Sequence, residues 1–338
     1  MYKINNKNLL YNYSFYFIIF FIKIIMSYST HTFDEFKLQS GEIMINAHIA
    51  YKTFGVLGEN NVIIYPTWYS GFISDNEWLV GEGRALDPKK YFIIIIAMLN
   101  NSESSNSKGN VSLYDNVIAQ HRLVTEKFGI KKIKLVTGWS MGAQQTYQWA
   151  CLFPEMVESI VPFCGSARTS PHNFVFLEGL RNILHLEDND ERLIKSFARV
   201  YAGWGLTQAF YKEKKWEELG YRSLEDFLVG FWENFFLKRD RKNLLAHIWS
   251  WQNGDISDNP VFNKDFTLAM KAIKAKTIII APENDLYFPK EDNQDEEKMI
   301  ENSKLVVIPG VWGHFSGGGI NNDDTIFINR ILSAILEL

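Results

Sequence analysis

The chain has 338 residues, 46% hydrophobic and 22% charged, enough apolar material for one large globular domain or a domain carrying an insertion. A net charge of −4 gives no sign of a nucleic-acid-binding protein. The two cysteines, Cys151 and Cys164, lie in apolar segments, so buried free thiols are expected rather than a disulfide; with no C-x-x-C or H-E-x-x-H, a metal site has no motif behind it.

The first 25 residues differ from the rest. Lys3 and Lys7 precede an apolar and aromatic stretch from Leu9 to Ile25, which Asn12 and Lys23 interrupt. Its purest run, Phe15 to Ile22, is short for a membrane span. Three readings are open for 1–25: a dispensable leader ahead of a start at Met26, a signal peptide with Ser27 and Ser29 before its cleavage point, or a membrane anchor. The first places the protein in the cytoplasm, and the others place it outside or on a membrane. Sequons at Asn12, Asn100 and Asn110 do not decide between them.

From Phe33 the chain changes character. Phe33 to Leu38 and Ile43 to Phe54, joined by Ser40-Gly41, predict an antiparallel hairpin. Val62 to Tyr65 predicts a short buried strand ending at Pro66. Tyr91 to Leu99 predicts another, and its four consecutive isoleucines, Ile93 to Ile96, suit a strand covered on both faces. Asn100 to Asn110 reads as a surface loop, and Tyr114 to Phe128 has helical spacing that Gly129 ends. A strand at 133–137, a helix from Ala143 to Phe153 and a strand at 157–163 follow. This alternation predicts a parallel sheet with right-handed crossovers.

Between Ser166 and Asn263 the strand pattern disappears. Five helix-like segments replace it: Phe174 to Leu186, Glu191 to Tyr201, Thr207 to Leu219, Leu224 to Phe236 and Arg241 to Trp251. The region is rich in aromatics, including Trp204, Trp216, Trp232, Trp249 and Trp251. It reads as a helical cap over 166–263, inserted into a core made of 30–165 and 264–338. Thr277 to Ala281 restores the sheet, followed by a charged helix from Glu291 to Asn302, a strand from Leu305 to Ile308 and a closing helix from Thr325 to Leu336.

The chemistry centres on Gly138-Trp139-Ser140-Met141-Gly142, a G-x-S-x-G between a predicted strand and a predicted helix. Gly138 and Gly142 allow the sharp turn and the close approach of strand and helix. A serine raised on such a turn is a nucleophile when a base accepts its proton, and the base in turn needs a carboxylate. In this architecture the order is serine, acid, histidine. Asp285 follows the strand 277–281 and His314 follows the strand 305–308, so Asp285 is the expected orienter and His314 the expected base. Glu283, two residues earlier, is the alternative carboxylate. Of the other histidines, His172 and His247 lie in or near the cap, within reach of a substrate, but precede Asp285. Two backbone N–H groups are needed for the oxyanion: Met141, and one from Pro66-Thr67-Trp68-Tyr69-Ser70-Gly71. Tyr69 is preferred by position and Trp68 is next; Pro66 has no N–H.

These residues carry a resemblance. Gly138 to Gln145, Asp285-Leu286-Tyr287-Phe288-Pro289 and Trp312-Gly313-His314 resemble the homoserine O-acetyltransferase family of α/β-hydrolase-fold acyltransferases. So do Arg84-Ala85-Leu86-Asp87-Pro88 and Val111 to Val117. The likeness runs from about Phe33 to the end. It implies an α/β-hydrolase fold, a mostly parallel sheet with helices on both faces, and a ping-pong transfer. Ser140 would take an acetyl group from acetyl-CoA as co-substrate and pass it to a small hydroxyl acceptor such as homoserine. The sequence departs from the family pattern in having Met-Gly-Ala after the serine and an Asn/Ser-rich loop after Leu99. The alternative is a serine hydrolase of an ester or thioester using the same triad. Arg168 and Arg181 are candidates for holding a substrate carboxylate, and Arg168 and His172 are the candidate substrate-binding residues. No cofactor is expected, the partner is a small-molecule substrate, and a homodimer is left open.

Overall fold

The computed structural model describes residues 28–337; the segment 1–25 set apart above lies outside the described residues. Eight strands form one sheet in the order β1-β2-β4-β3-β5-β6-β7-β8. β1 (Ser29–Lys37) and β2 (Ile43–Phe54) make the expected antiparallel hairpin, and β2 joins β4 (Phe92–Ile96) antiparallel. The remaining pairs are parallel: β3 (Val62–Pro66) with β4 and β5 (Leu135–Trp139), then β6 (Ser159–Phe163), β7 (Lys276–Pro282) and β8 (Ser303–Ile308) in succession.

The isoleucine run shows why the central strands are continuously apolar. Ile94 and Ile96 enter the cluster on one face, whereas Ile93 and Ile95 enter the cluster on the other. Val62 and Ile64 divide from Ile63 and Tyr65 in the same way. Side chains alternate across a strand, so a strand buried on both faces must be apolar at every position.

Helices α1 (Leu113–Arg122) and α2 (Met141–Leu152) connect the central strands. Ser112 caps α1: its hydroxyl accepts from the Asp115 N–H while Asp115 accepts from the Ser112 N–H, the reciprocal bonding of a capping box. Between β6 and β7 the chain makes a helical excursion. It comprises α3 (Pro171–His185), α4 (Asp190–Gly205), α5 (Gln208–Lys212), the consecutive helical turns Leu224–Phe227, Leu228–Glu233 and Asn234–Phe236, and α6 (Arg241–Gln252). Its interior is a third cluster rich in Phe, Tyr and Trp. That cluster also takes in Tyr69, Met98, Met141, Tyr287, Phe288 and Trp312, which lie just beyond the ends of β3, β4, β5, β7 and β8. The excursion therefore sits over the carboxyl edge of the sheet.

The elements differ from expectation at a few points. β5 begins at Leu135 rather than at residue 133, because Ile133 makes only an isolated bridge to Val157. The helix expected from Thr207 to Leu219 divides at Lys214, whose φ of 55° ends α5 before a short 3-10 turn, Lys215–Glu217. Three short elements escaped the pattern: the 3-10 turns Ile73–Leu79 and Gly313–Gly317, and α7 (Phe266–Lys271). Each is too brief for its periodicity to stand out. After β7 come α8 (Lys290–Glu297), shorter than expected, and after β8 the closing α9 (Asn322–Leu336).

Candidate active site

Ser140 stands at the junction of β5 and α2 with φ 58° and ψ −123°. A non-glycine residue at positive φ is strained, by about 1–3 kcal/mol, and persists only where its surroundings hold it. Here they do. A Cβ on Gly138 would lie 2.4 Å from the Gly142 carbonyl, and one on Gly142 would lie 2.8 Å from the Pro66 oxygen. A third glycine, not anticipated, completes the corner: a Cβ on Gly165 would meet the Ser140 carbonyl and the Ala143 methyl at 2.6 Å. The Ser140 N–H donates to the Phe163 carbonyl at 3.1 Å, tying the elbow to the end of β6.

The loops after β7 and β8 bring the other two residues to it. His314 Nε2 lies 2.9 Å from Ser140 Oγ, and His314 Nδ1 lies 2.7 Å from Asp285 Oδ2. All three residues are buried, with 2–4% of their surface exposed. The other carboxylate oxygen, Asp285 Oδ1, accepts from the N–H groups of Tyr287 at 2.8 Å and Phe288 at 3.1 Å, so the turn itself orients the acid. Glu283 is turned away: its half-exposed carboxylate pairs with Lys290. The imidazole is held by rings. Trp139 stacks on it at 5.1 Å and donates its indole N–H to the His314 carbonyl at 3.1 Å, while Tyr287 packs edge-on at 4.7 Å.

Met141 opens α2, and its N–H meets no protein acceptor among the described residues. In the loop after β3, Thr67 N–H is used by the Ile96 carbonyl and Ser70 N–H by His247. The amides of Trp68 and Tyr69 have no protein acceptor among the described residues. Both peptide planes are nevertheless fixed through their carbonyls. Gln145 Nε2 donates to Thr67 O at 2.9 Å, and Gly71 N–H donates to Trp68 O at 2.9 Å. In a trans peptide the N–H points opposite the C=O, so both donors are oriented before any ligand arrives.

The expected substrate partners are not gathered here. Arg168 is exposed, lies 4.0 Å from Asp255 and covers the Phe266 ring. Arg181 pairs with Glu178 on the exposed side of α3. His172, at the exposed start of α3, packs on Trp204 at 5.1 Å and is not among the rings against His314. His247 is buried with both ring nitrogens bonded to the protein. The rings beside the triad are apolar instead: Trp68 packs on Trp139 at 4.8 Å and on Phe235 at 6.0 Å, and Phe315 reaches both Trp139 and Phe231. Trp68, Phe231, Phe235 and Phe315 are only partly buried.

Both cysteines are free and buried, and burial pushes their thiols up. Cys164 Sγ packs against the Gly317 backbone under the His314 turn. A further buried group had no sequence signal: Glu296 accepts from Ala167 N–H, Tyr147 OH and Asn293 Nδ2 at 2.6–2.9 Å, joining the chain after β6 to α2 and α8. Among the described residues, no group of three or more His, Cys, Asp or Glu is placed to hold a metal, and no helix is long and apolar enough to cross a membrane.

Known proteins resemble this chain over most of its length. The chain is 36% identical to the ethyl acetate hydrolase of Pseudomonas veronii, over 89% of this chain and 92% of that one. It is 32% identical to an acetylester hydrolase from Corynebacterium glutamicum of known structure, with a TM-score of 0.87 over 92% of this chain and 96% of that one. Its identity to the homoserine O-acetyltransferase of Chlorobaculum parvum is lower, 26%, over 86% of this chain and 91% of that one. The transferase likeness is thus present but weaker than the likeness to esterases. The model of the alpha/beta hydrolase fold matches residues 61–317, from β3 through the turn carrying His314. With that stretch matched and the strand order as found, the chain belongs to the α/β-hydrolase family and is an enzyme of its esterase and acyltransferase branch.

Proposed function

We propose that the chain is a serine ester hydrolase acting on small, neutral acetyl esters. The observation that carries the proposal is the buried chain of hydrogen bonds from Asp285 through His314 to Ser140. With its Nδ1–H donated to Asp285, the imidazole has its Nε2 lone pair directed at the Ser140 hydroxyl. Ser140 Oγ attacks the ester carbonyl as His314 takes its proton. The oxyanion forms against the N–H of Met141 and that of Tyr69, with the Trp68 N–H beside it. Collapse breaks the ester C–O bond, and His314 returns the proton to the departing alcohol. Water, deprotonated by His314, then adds to the acyl carbon; the bond to Ser140 Oγ breaks, His314 returns the proton to that oxygen, and the acid leaves.

The substrate class rests on the partly buried aromatic rings beside the triad and on the likeness to enzymes named for ethyl acetate and acetyl ester hydrolysis. Such rings favour an apolar alcohol portion over a charged one. Transfer to homoserine would need a partner for its carboxylate, and Arg168 and Arg181 are engaged elsewhere. We further propose that the helical excursion is a cap that excludes bulk water from the site.

The test uses the purified protein with ethyl acetate and, separately, with acetyl-CoA with and without homoserine. Acetate release from the ester, lost in Ser140→Ala, is the expected result. Formation of O-acetylhomoserine, with little ester hydrolysis, would replace the hydrolase reading by the transferase one. Undiminished turnover in Ser140→Ala would overturn the site itself.

A further inference from the structure

Residues 68–71 form a turn closed by the Gly71 N–H bond to the Trp68 carbonyl at 2.9 Å. Ser70, its third residue, has φ 57°, while Tyr69 is not among the residues at positive φ. That is the signature of a type II turn, which favours glycine at the position Ser70 occupies. The turn differs from the commoner type I form mainly in the orientation of its middle peptide, Tyr69–Ser70. A serine left to itself would favour the other orientation.

His247 opposes that preference. From α6 its Nδ1 accepts the Ser70 N–H at 3.1 Å, and its Nε2 lies 2.9 Å from the Leu99 carbonyl, so the ring is neutral with its proton on Nε2. It is 1% exposed. Neighbours along α6 bond to the loops after β3 and β4: Leu244 O accepts from Tyr69 OH at 3.3 Å, Asn243 bonds Ser102, and Ser250 Oγ donates to Val111 O at 2.6 Å. His247 is the one that grips the strained peptide.

We propose that His247 is a positioning residue for ester cleavage. It holds the Tyr69–Ser70 peptide in its strained orientation and so anchors the 68–71 turn as a whole, which together with the Gly71 bond to the Trp68 carbonyl keeps the Tyr69 amide aimed for the oxyanion. The inference rests on the hydrolase reading above. It makes the seating of α6 on the core a condition for a complete oxyanion site.

The experiment compares His247→Leu, which keeps bulk but no acceptor, with His247→Asn, whose amide oxygen lies near the position of Nδ1. Steady-state hydrolysis of ethyl acetate is measured for both. Losing one oxyanion donor costs about 10²–10³ in kcat; misaligning one should cost about 10–100-fold in His247→Leu, with KM within about threefold. His247→Asn should recover most of the loss. Adding Ser70→Gly to His247→Leu should also raise kcat, because glycine adopts positive φ without strain. A role in packing alone predicts neither rescue. Should His247→Leu fail to fold, His247→Gln takes its place, since its longer amide suits Leu99 O rather than Ser70 N–H. Full kcat in the Leu or Gln variant, a loss confined to KM, or His247→Asn no better than either would overturn the inference alone. Wild-type protein without esterase activity would overturn both it and the reading beneath it.

Discussion

The sheet and the excursion bury apolar surface by different means. The sheet clusters are largely Ile, Val, Leu and Ala, close-packed on two faces and remote from water. The excursion is far richer in aromatics, and its rings interlock with the catalytic loops: Trp251 stacks on Phe288 at 5.6 Å, and Tyr201 packs on Tyr287 at 5.4 Å, which in turn packs on His314. Large flat rings bridge gaps between irregular elements that short branched side chains cannot span. The sheet is therefore a scaffold that makes the strand ends rigid. The excursion is a second wall, whose packing is continuous with the geometry of the base.

The sharpest test of this contrast lies where the two regions meet. Asp285→Asn should lower kcat by about 10⁴-fold by stabilising the wrong tautomer of His314, while Glu283→Gln should stay within a few-fold. Steady-state kinetics on both checks it; the reverse ranking would return the acid role to Glu283. Next in size, Trp251→Ala should cost about 3–5 kcal/mol in denaturant unfolding and also lower kcat, since Trp251 packs against Tyr287 and Phe288. Ile94→Ala should cost about 2–5 kcal/mol yet leave kcat per folded molecule near wild type. If Trp251→Ala changed stability alone, the excursion would be no more than a lid of ordinary packing.

The smallest effect concerns pH. Burial pushes Glu296 from its ordinary 4.5 up to about 7. A carboxyl whose folded value is raised contributes stability that is full below the unfolded value and is lost as pH rises through the folded one. Between pH 4.5 and 7 the wild type should therefore lose melting temperature relative to Glu296→Gln. Equal slopes for the two proteins would show that Glu296 stays ionised when buried.

The contrast also separates what could be read in advance from what could not. Strand positions, the elbow and the loops carrying Asp285 and His314 follow from apolar runs, glycines and turn residues within a few positions of each other. The choice of Asp285 over Glu283 does not, because the two stand two positions apart beyond the end of β7 and only the N–H groups of Tyr287 and Phe288 orient the acid. Arg168 and Arg181 were reasonable partners for a carboxylate by type alone; the placement of Arg168 beside Asp255 has no local signal, whereas Arg181 meets Glu178 at the i,i+3 spacing of one helix. His247 and Glu296 were similarly hidden, since a buried polar residue inside a helix looks like any other polar residue until its partners are known.

By itself, then, the sequence determined the α/β order, the continuous burial of the central strands, the strained serine corner and the succession of serine, acid and base. These are short-range properties, dictated by side-chain alternation, branching at Cβ and the freedom of glycine. The tertiary structure alone decided the pairings across 29 residues from Asp285 to His314, 174 from Ser140 to His314 and 177 from Ser70 to His247. Contacts at such separations are set by how layers pack, and a side chain's neighbours in space leave no mark on its neighbours in the chain.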